Sequence, residues 1–437
     1  TILNNLLIDA NIRDKKPIML ILSSLERREK NFDLAEKILI ELISNNKTFG
    51  LAYLNLSDLY FELNNPIKAK DILIKGININ PNNMPQLYVN LAIIYRSLGQ
   101  IKNSIANHLK ALSLNKNLYQ CYENLSDMYD FSNNSSELEY LMRISFDNLN
   151  REDIYRICFA RANILHKNQN FNEASINYEL ANDVKSELYP SNKDSLIKSG
   201  LDIKNNFLNN LYFDKSSKRV DKELIFIVGM PRSGSTLLEN ILSLNENVTD
   251  LGEIDYLSSS LSEDNVDKNI NPFETYLKLL DNDHPNSKII TDKNLFNYKY
   301  CPVIKKYFKN SKIVFCTRNP LDNILSIYRT NFTKLPFTSN LKDITELYIH
   351  HLELMNIYAD LYKDIIYKYN YDELVNNPSS EIEKIINWLG WRWSDKYLFP
   401  HKSKRSVFTA SSEQVRNPIH NRSIGGWRNY KDLLKPA

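Results

Sequence analysis

At 437 residues the chain is too long for one ordinary domain and suits two or three, each large enough to bury its own core. A formal net charge of +3 gives no strong field of the kind that nucleic-acid binding requires, and no uninterrupted apolar run reaches the roughly 18 residues of a membrane helix. Four cysteines, Cys121, Cys158, Cys301 and Cys316, lie far apart without CxxC or CxH spacing, which argues against a zinc site and a disulfide framework and points to a reducing compartment, the cytoplasm. Heavy use of Asn, Lys and Ile has the look of compositional drift in an AT-rich genome and carries no functional weight. The chain begins at Thr1 rather than Met, which leaves room for a targeting segment ahead of it.

Residues 16 to about 185 repeat themselves. "YLNLSDLYFELNNPIKAKDILIKGININP" (53–81) aligns with "YVNLAIIYRSLGQIKNSIANHLKALSLN" (88–115) at an offset of 35 residues, and small residues recur at Ala35, Ala69, Ser104 and Ala174, steps of 34, 35 and twice 35. Each unit reads as a helix, a short "LNN" or "LGQ" turn, and a second helix whose small residue faces its partner. Such a unit cannot bury its apolar face alone, so neighbours must stack. The segment resembles tetratricopeptide repeats, with Tyr53, Leu56, Ser57, Tyr60, Ala69 and Pro81 at the large, small and proline positions, and about five units are expected. The 118–151 copy keeps the first helix and weakens the second.

A polar stretch over 186–222 then separates the expected repeat domain, 1–185, from a second domain, 223–437. There "LIFIVG" (224–229), "SKIITDK" (287–293), "SKIVFCTRN" (311–319) and "DIIYKYNYDEL" (364–374) are short apolar runs alternating with helical segments at 236–244, 321–332 and 379–390. Continuous apolar strands separated by helices predict an α/β domain with a central parallel sheet covered on both faces, whose ligands bind at the strand carboxyl ends.

At the first of those ends stands "GMPRSGSTLLENIL". A strand, a tight turn and a helix starting near Ser235 aim free N–H groups and a helix dipole at the loop, a setting that attracts an anion. Arg232 adds a fork suited to phosphate or sulfate, Ser233, Ser235 and Thr236 add hydroxyls, and two of only 10 glycines, Gly229 and Gly234, fall here. An N-capped helix after a buried strand is the plainer alternative. A nucleoside triphosphatase loop would carry Lys after Gly234, where this chain has Ser235, so a P-loop kinase is disfavoured.

The loop resembles the 5′-phosphosulfate loop of sulfotransferases, and "PRSGSTLLENILS" is most similar to the tyrosylprotein type and to bacterial proteins that fuse tetratricopeptide repeats to a sulfotransferase domain. The resemblance spans roughly 223–431 and implies 3′-phosphoadenosine 5′-phosphosulfate (PAPS) as co-substrate and an α-solenoid followed by a P-loop-like sulfotransferase fold. It further implies that Arg318 and Ser326, in "CTRNPLDNILSIYR", hold the 3′-phosphate. Glu253, in "DLGEIDYL" and following Gly252, becomes the base that takes the acceptor proton, where small-molecule sulfotransferases use a histidine. Lys293 becomes the cation that stabilises the departing phosphate oxygen. Tyr371 is placed beside the nucleotide, Ser411 in the catalytic site, and Ser423, Gly425 and Trp427 in a flap over the adenosine and its 3′-phosphate. The residue before that tryptophan is commonly basic in relatives and here is Gly426, a departure that weakens the expected grip on that side and leaves Arg428 as the neighbouring basic residue. Arg329 is a weaker candidate, since the family's further basic residue falls one position later.

On their own residues these positions have ordinary alternatives: a strand-end Arg318 paired with a carboxylate, Glu253 as a cap or salt bridge, Lys293 on the surface. No metal is implied, because adjacent His350 and His351 face different sides of a helix and the donor carries its own good leaving group. Two functions from different classes therefore stand: a PAPS-dependent sulfotransferase whose repeats recruit a protein or peptide acceptor, and a repeat scaffold with a non-catalytic nucleotide-binding domain.

Overall fold

The computed structural model describes residues 15–79, 84–131, 136–208, 222–261, 271–403, 405, 407, 409 and 414–437. They divide by packing into two units: one runs up to Ser145 and takes in Val407, and the other runs from Phe146 to Ser403 and from Thr409 to Ala437.

The first unit is built of helical hairpins: α1 (Lys16–Arg28) with α2 (Phe32–Asn45), α3 (Gly50–Glu62) with α4 (Pro66–Ile79), α5 (Pro85–Ser97) with α6 (Ile101–Leu114), and α7 (Tyr119–Met128) with the short α8 (Ser136–Arg143). One device makes the turn in the first three of these hairpins. Lys30, Asn64 and Gly99 adopt left-handed backbone at φ 63, 55 and 74°, each five residues before Ala35, Ala69 or Ser104. The next residue's N–H then reaches the carbonyl five positions back, as in Asn65 to Tyr60 at 2.8 Å and Gln100 to Tyr95 at 2.8 Å, which closes the first helix with the left-handed C-cap geometry that glycine and asparagine favour. Ala35, Ala69 and Ser104 are fully buried where the helices of a pair cross, and the Ser104 hydroxyl donates to the Ala92 carbonyl at 2.7 Å.

A further hairpin, α9 (Arg151–Lys167) and α10 (Phe171–Leu188), uses the same device at Gln169, φ 61°, before buried Ala174. By packing it belongs to the second unit, so the division falls some 40 residues before the boundary expected at 185. The reason is aromatic: Tyr155, Phe159 and Tyr178 share a core with Ile324, Tyr328, Tyr348, Tyr430 and Leu433. Asn182 and the buried Lys185 donate to the carbonyls of Tyr328 (3.0 Å) and Phe332 (2.7 Å).

After α11 (Lys193–Leu208), strands β1 (Glu223–Gly229), β2 (Val248–Asp250), β3 (Ile289–Asp292), β4 (Ser311–Thr317) and β5 (Ile366–Asn370) form one parallel sheet in the order β2-β3-β1-β4-β5. Its faces explain the apolar runs. Leu224, Phe226 and Val228 of β1 point to a core with Tyr276, Val303 and Met355, whereas Ile225 and Ile227 point to one with Leu238, Ile241, Ile382 and Ile386. Helices α12 (Ser235–Leu242), α13 (Tyr256–Ser260), α14 (Pro272–Asp283), α15 (Cys301–Tyr307), α16 (Pro320–Tyr328), α17 (Leu341–Leu361), α18 (Tyr371–Asn376) and α19 (Pro378–Leu389) connect and cover the strands. The run 364–374 is strand only as far as Asn370, because the Asn370 side chain accepts the N–H groups of Asp372 and Glu373 and starts α18. Among the described residues no helix is long and apolar enough to cross a membrane.

Candidate active site

Each strand ends at a candidate residue. β2 leads to Gly252 and Glu253, β3 to Lys293, β1 to the loop 229–236, β4 to Arg318 and β5 to Tyr371. Because the strands are all parallel, these five ends lie on one edge of the sheet.

The loop is fixed by contacts that exclude larger residues. A Cβ at Gly229 would lie 2.8 Å from the Cys316 carbonyl oxygen and 3.1 Å from Ser233 Oγ. One at Gly234, where φ is +88°, would lie 2.3 Å from the Tyr371 ring. Arg232 between them is itself left-handed, φ 66°, a strained backbone for a side chain of this size. Its polar links over-determine that conformation: Nε donates to Ser326 Oγ at 3.1 Å, a terminal nitrogen donates to Gln414 Oε1 at 2.9 Å, and its carbonyl accepts from Arg318 at 3.1 Å. Asn323 Nδ2 ties the Pro231 carbonyl to α16 at 2.8 Å. No side chain caps α12, and the buried Ser233 hydroxyl has no hydrogen-bond partner among the described residues. A phosphate or sulfonate oxygen fits those donors; Ser235 and Thr236 open the helix, with Thr236 Oγ1 3.3 Å from Thr409 Oγ1.

Arg318 follows β4 and gathers three segments. It donates to the carbonyls of Arg232 and, at 2.6 Å, Ser423, and its guanidinium carbon lies 5.0 Å from the centroid of the Tyr371 ring. The Tyr371 hydroxyl is 2.8 Å from Ser423 Oγ. Arg318 Nε is buried without a partner among the described residues, so this arginine also keeps donor capacity for an anion.

Register brings the third group together. β2 pairs with β3 through Asp250 and Thr291, and the pairing continues past the strands with Leu251 N–H to the Thr291 carbonyl and Lys293 N–H to the Gly252 carbonyl, both at 2.9 Å. Lys293 Nζ consequently donates to Glu253 Oε1 at 2.7 Å; the lysine side chain is fully buried and the glutamate is 52% exposed. Burial pushes the thiol of Cys316, against which Gly229 packs at the end of β4, well up, and the Lys293 ammonium pulls in the opposite direction.

Beneath Lys293 lies Asp292, 1% exposed, whose oxygens accept from the Asn294 N–H, Asn297 Nδ2 and the Tyr276 hydroxyl, all at 3.1 Å. Asp292, Asp322, Asn323 and Gln414 are site-supporting residues that the sequence reading did not single out. Only Asp322, an acid in the first turn of a predicted helix, gave any local signal, and that signal reads as dipole compensation.

Two candidates have other surroundings. Arg329 turns from the site: Nε donates to the Tyr178 hydroxyl at 3.2 Å, and its guanidinium lies 5.4 Å from both the Tyr178 and Tyr430 rings. Arg428 lies over its neighbours, 5.2 Å from the Trp427 ring and close enough to Gly425 that a Cβ there would sit 2.1 Å from it. Gly425 and Trp427 donate their N–H groups to Asp322. Ser411 lies outside the described residues. Also among the described residues, no group of three or more His, Cys, Asp or Glu side chains is arranged to hold a metal.

Residues 224–274 and 262–395 match the Sulfotransferase family, and 51–83 and 85–118 match the tetratricopeptide repeat. An uncharacterized protein of Aquifex aeolicus (strain VF5) is 25% identical over 455 residues, covering 95% of this chain and 58% of its own length. The Drosophila melanogaster protein-tyrosine sulfotransferase is 24% identical over 232 residues, covering 47% of this chain and 46% of its own. The chain thus spans about half the length of these two relatives. Among solved structures, the sulfotransferase domain from the curacin biosynthetic pathway aligns at a TM-score of 0.38 with 18% identity, over 48% of this chain and 92% of that one. A mouse sulfotransferase complexed with PAP aligns at 0.35 with 20% identity, over 52% and 83%. The chain joins tetratricopeptide repeats to a domain that matches the sulfotransferase family and resembles its tyrosylprotein type.

Proposed function

We propose that the protein transfers the sulfuryl group of PAPS to an acceptor hydroxyl, with a tyrosine of a protein or peptide as the acceptor. One observation carries this reading: the five parallel strand ends deliver an anion cradle, a second arginine and serine, and an ammonium–carboxylate pair to a single edge. Buried, unpartnered donors at Ser233 and Arg318 fit a nucleotide with an anionic group at each end. The donor, when bound, supplies an activated S–O bond with a phosphate as its leaving group.

The loop N–H groups, Arg232, Ser233, Ser235 and Thr236 bind the phosphosulfate end. Arg318, Ser326 and the 423–427 segment bind the 3′-phosphate end. Glu253, the more exposed of its pair, accepts the acceptor proton, and Lys293 meets the charge that develops on the leaving oxygen, where a fixed cation favours the transition state over the ground state. Ser411 joins Lys293 in that role. The tyrosine acceptor is supported by a carboxylate after Gly252 and by the relative's name, and the repeats recruit that acceptor.

Calorimetric titration with adenosine 3′,5′-bisphosphate tests the nucleotide half. Saturable binding, weakened by Arg318→Ala, is expected, and absence of any heat in the wild type would leave a scaffold without a nucleotide site.

A further inference from the structure

The acid of α16 has no place in the chemistry above. Asp322 is 3% exposed and stands one helical turn before Ser326. A free carboxylate beside a site for a phosphate dianion would oppose the ligand by like-charge repulsion. Both oxygens are instead consumed by backbone amides from a distant segment: the Gly425 N–H at 2.6 Å and the Trp427 N–H at 2.9 Å, 103 and 105 residues along the chain.

The same segment is tied at two further points to groups of the site. Ser423 gives its carbonyl to Arg318 at 2.6 Å, and its hydroxyl lies 2.8 Å from the Tyr371 hydroxyl. Gly425, at φ +72°, makes the left-handed bend that aims its own N–H and that of Trp427 at one carboxylate, and it opens the 3-10 turn Gly426–Tyr430. Helix α16 is thereby a hub of nine residues: Asn323 holds Pro231 of the loop, Ser326 holds Arg232, and Asp322 holds the 423–427 segment. The pair on Asp322 is charge-assisted, so it outweighs a neutral amide contact such as Asn323 to Pro231 in fixing the segment.

We propose that Asp322 is a positioning residue that latches residues 423–427 across the nucleotide site and thereby sets how long nucleotide stays bound, without touching it. The latch rests on the nucleotide-binding reading above. Releasing product requires the segment to lift, and lifting it strips a buried carboxylate of both its partners, which makes the latch a kinetic barrier to exit.

The test compares wild type with Asp322→Asn, which keeps shape but turns one acceptor into a donor facing an N–H, and with Asp322→Ala. Stopped-flow release of adenosine 3′,5′-bisphosphate is measured together with hydrogen exchange at the Gly425 and Trp427 amides and with thermal melting. The latch predicts release faster by about tenfold or more in Asp322→Asn, the scale of one lost charge-assisted bond. It also predicts that protection is lost at those two amides while the melting transition stays cooperative, a local signature that a general loss of stability does not give. Should Asp322→Ala fail to fold, the isosteric variant still decides. Release within about twofold of wild type in Asp322→Asn would overturn the latch while leaving the functional reading intact. Failure of the wild type itself to bind the nucleotide would overturn that reading, and the latch with it.

Discussion

Arg232 donates from Nε to the Ser326 hydroxyl at 3.1 Å, joining residues 94 positions apart. A lysine at 232 keeps the charge but lacks the fork that reaches Ser326 and Gln414 at once. Arg232→Lys and Ser326→Ala are each expected to weaken adenosine 3′,5′-bisphosphate binding by about tenfold, roughly 1.4 kcal/mol. Calorimetry reads this directly, and unchanged affinity in both variants would remove the pair from the site.

Gly234→Ala meets two obstacles, a left-handed φ of +88° and Tyr371 side-chain atoms at 2.3 to 3.0 Å. The substitution is expected to destabilise the second unit by roughly 1–3 kcal/mol and to displace Tyr371 from Arg318. Chemical denaturation measures the first effect, and a loss equal to that of an exposed Gly→Ala change elsewhere would show the turn to be permissive.

A fragment beginning at 146 is expected to melt cooperatively, whereas one beginning at 186 is expected not to fold. The shorter fragment lacks Tyr155, Phe159 and Tyr178, each worth roughly 2 kcal/mol of burial, and the donors Asn182 and Lys185. Circular dichroism melts distinguish the two. If the 146–437 fragment is active, a raised KM for a protein acceptor but not for a small one is expected from recruitment by the repeats, and an unchanged KM for both would rule recruitment out.

Burial pushes the Asp292 carboxyl up to about 7, opposed by the Asn294 N–H, the Tyr276 hydroxyl and the Lys293 ammonium. An unfolded chain loses that proton near 3.8, so between about pH 4 and 7 the folded state holds a proton the unfolded state has released. Stability from this group therefore falls as pH rises through that window, by at most about 1.4 kcal/mol per pH unit. Buried His166 and His351, pushed down to about 3 by desolvation, act in the opposite sense below their ordinary 6.5. The clean readout is the difference between wild type and Asp292→Asn: the variant should gain relative stability from pH 4 to 7, and a flat difference would place the carboxyl in the ordinary range.

Local signals carried most of what the sequence showed. The repeat spacing works because the left-handed turn and the small buried residue sit five positions apart within one hairpin, as at Asn64 and Ala69. The four longer strands and the loop were legible because a buried parallel strand is apolar throughout and its turn needs Gly229 and Gly234. What escaped depends on distant partners. Nothing near Asp322 announces Gly425 and Trp427, nothing near Tyr178 announces Tyr430, and β2 is too short for a period to show. The division at 145 escaped for the same cause, since α9 and α10 carry repeat-like spacing while their aromatic face packs on α16 and the C-terminal segment.

Transfer itself is the most direct measurement. The protein is incubated with sulfur-labelled PAPS and a tyrosine-containing peptide, and labelled peptide is quantified for wild type and Lys293→Ala. The expected result is transfer by wild type and a fall in kcat of roughly 10²–10⁴ in the variant, with nucleotide affinity within about twofold. Undiminished turnover without the Lys293 ammonium, or nucleotide binding with no label reaching any hydroxyl acceptor, would contradict the proposed role of the Glu253–Lys293 pair.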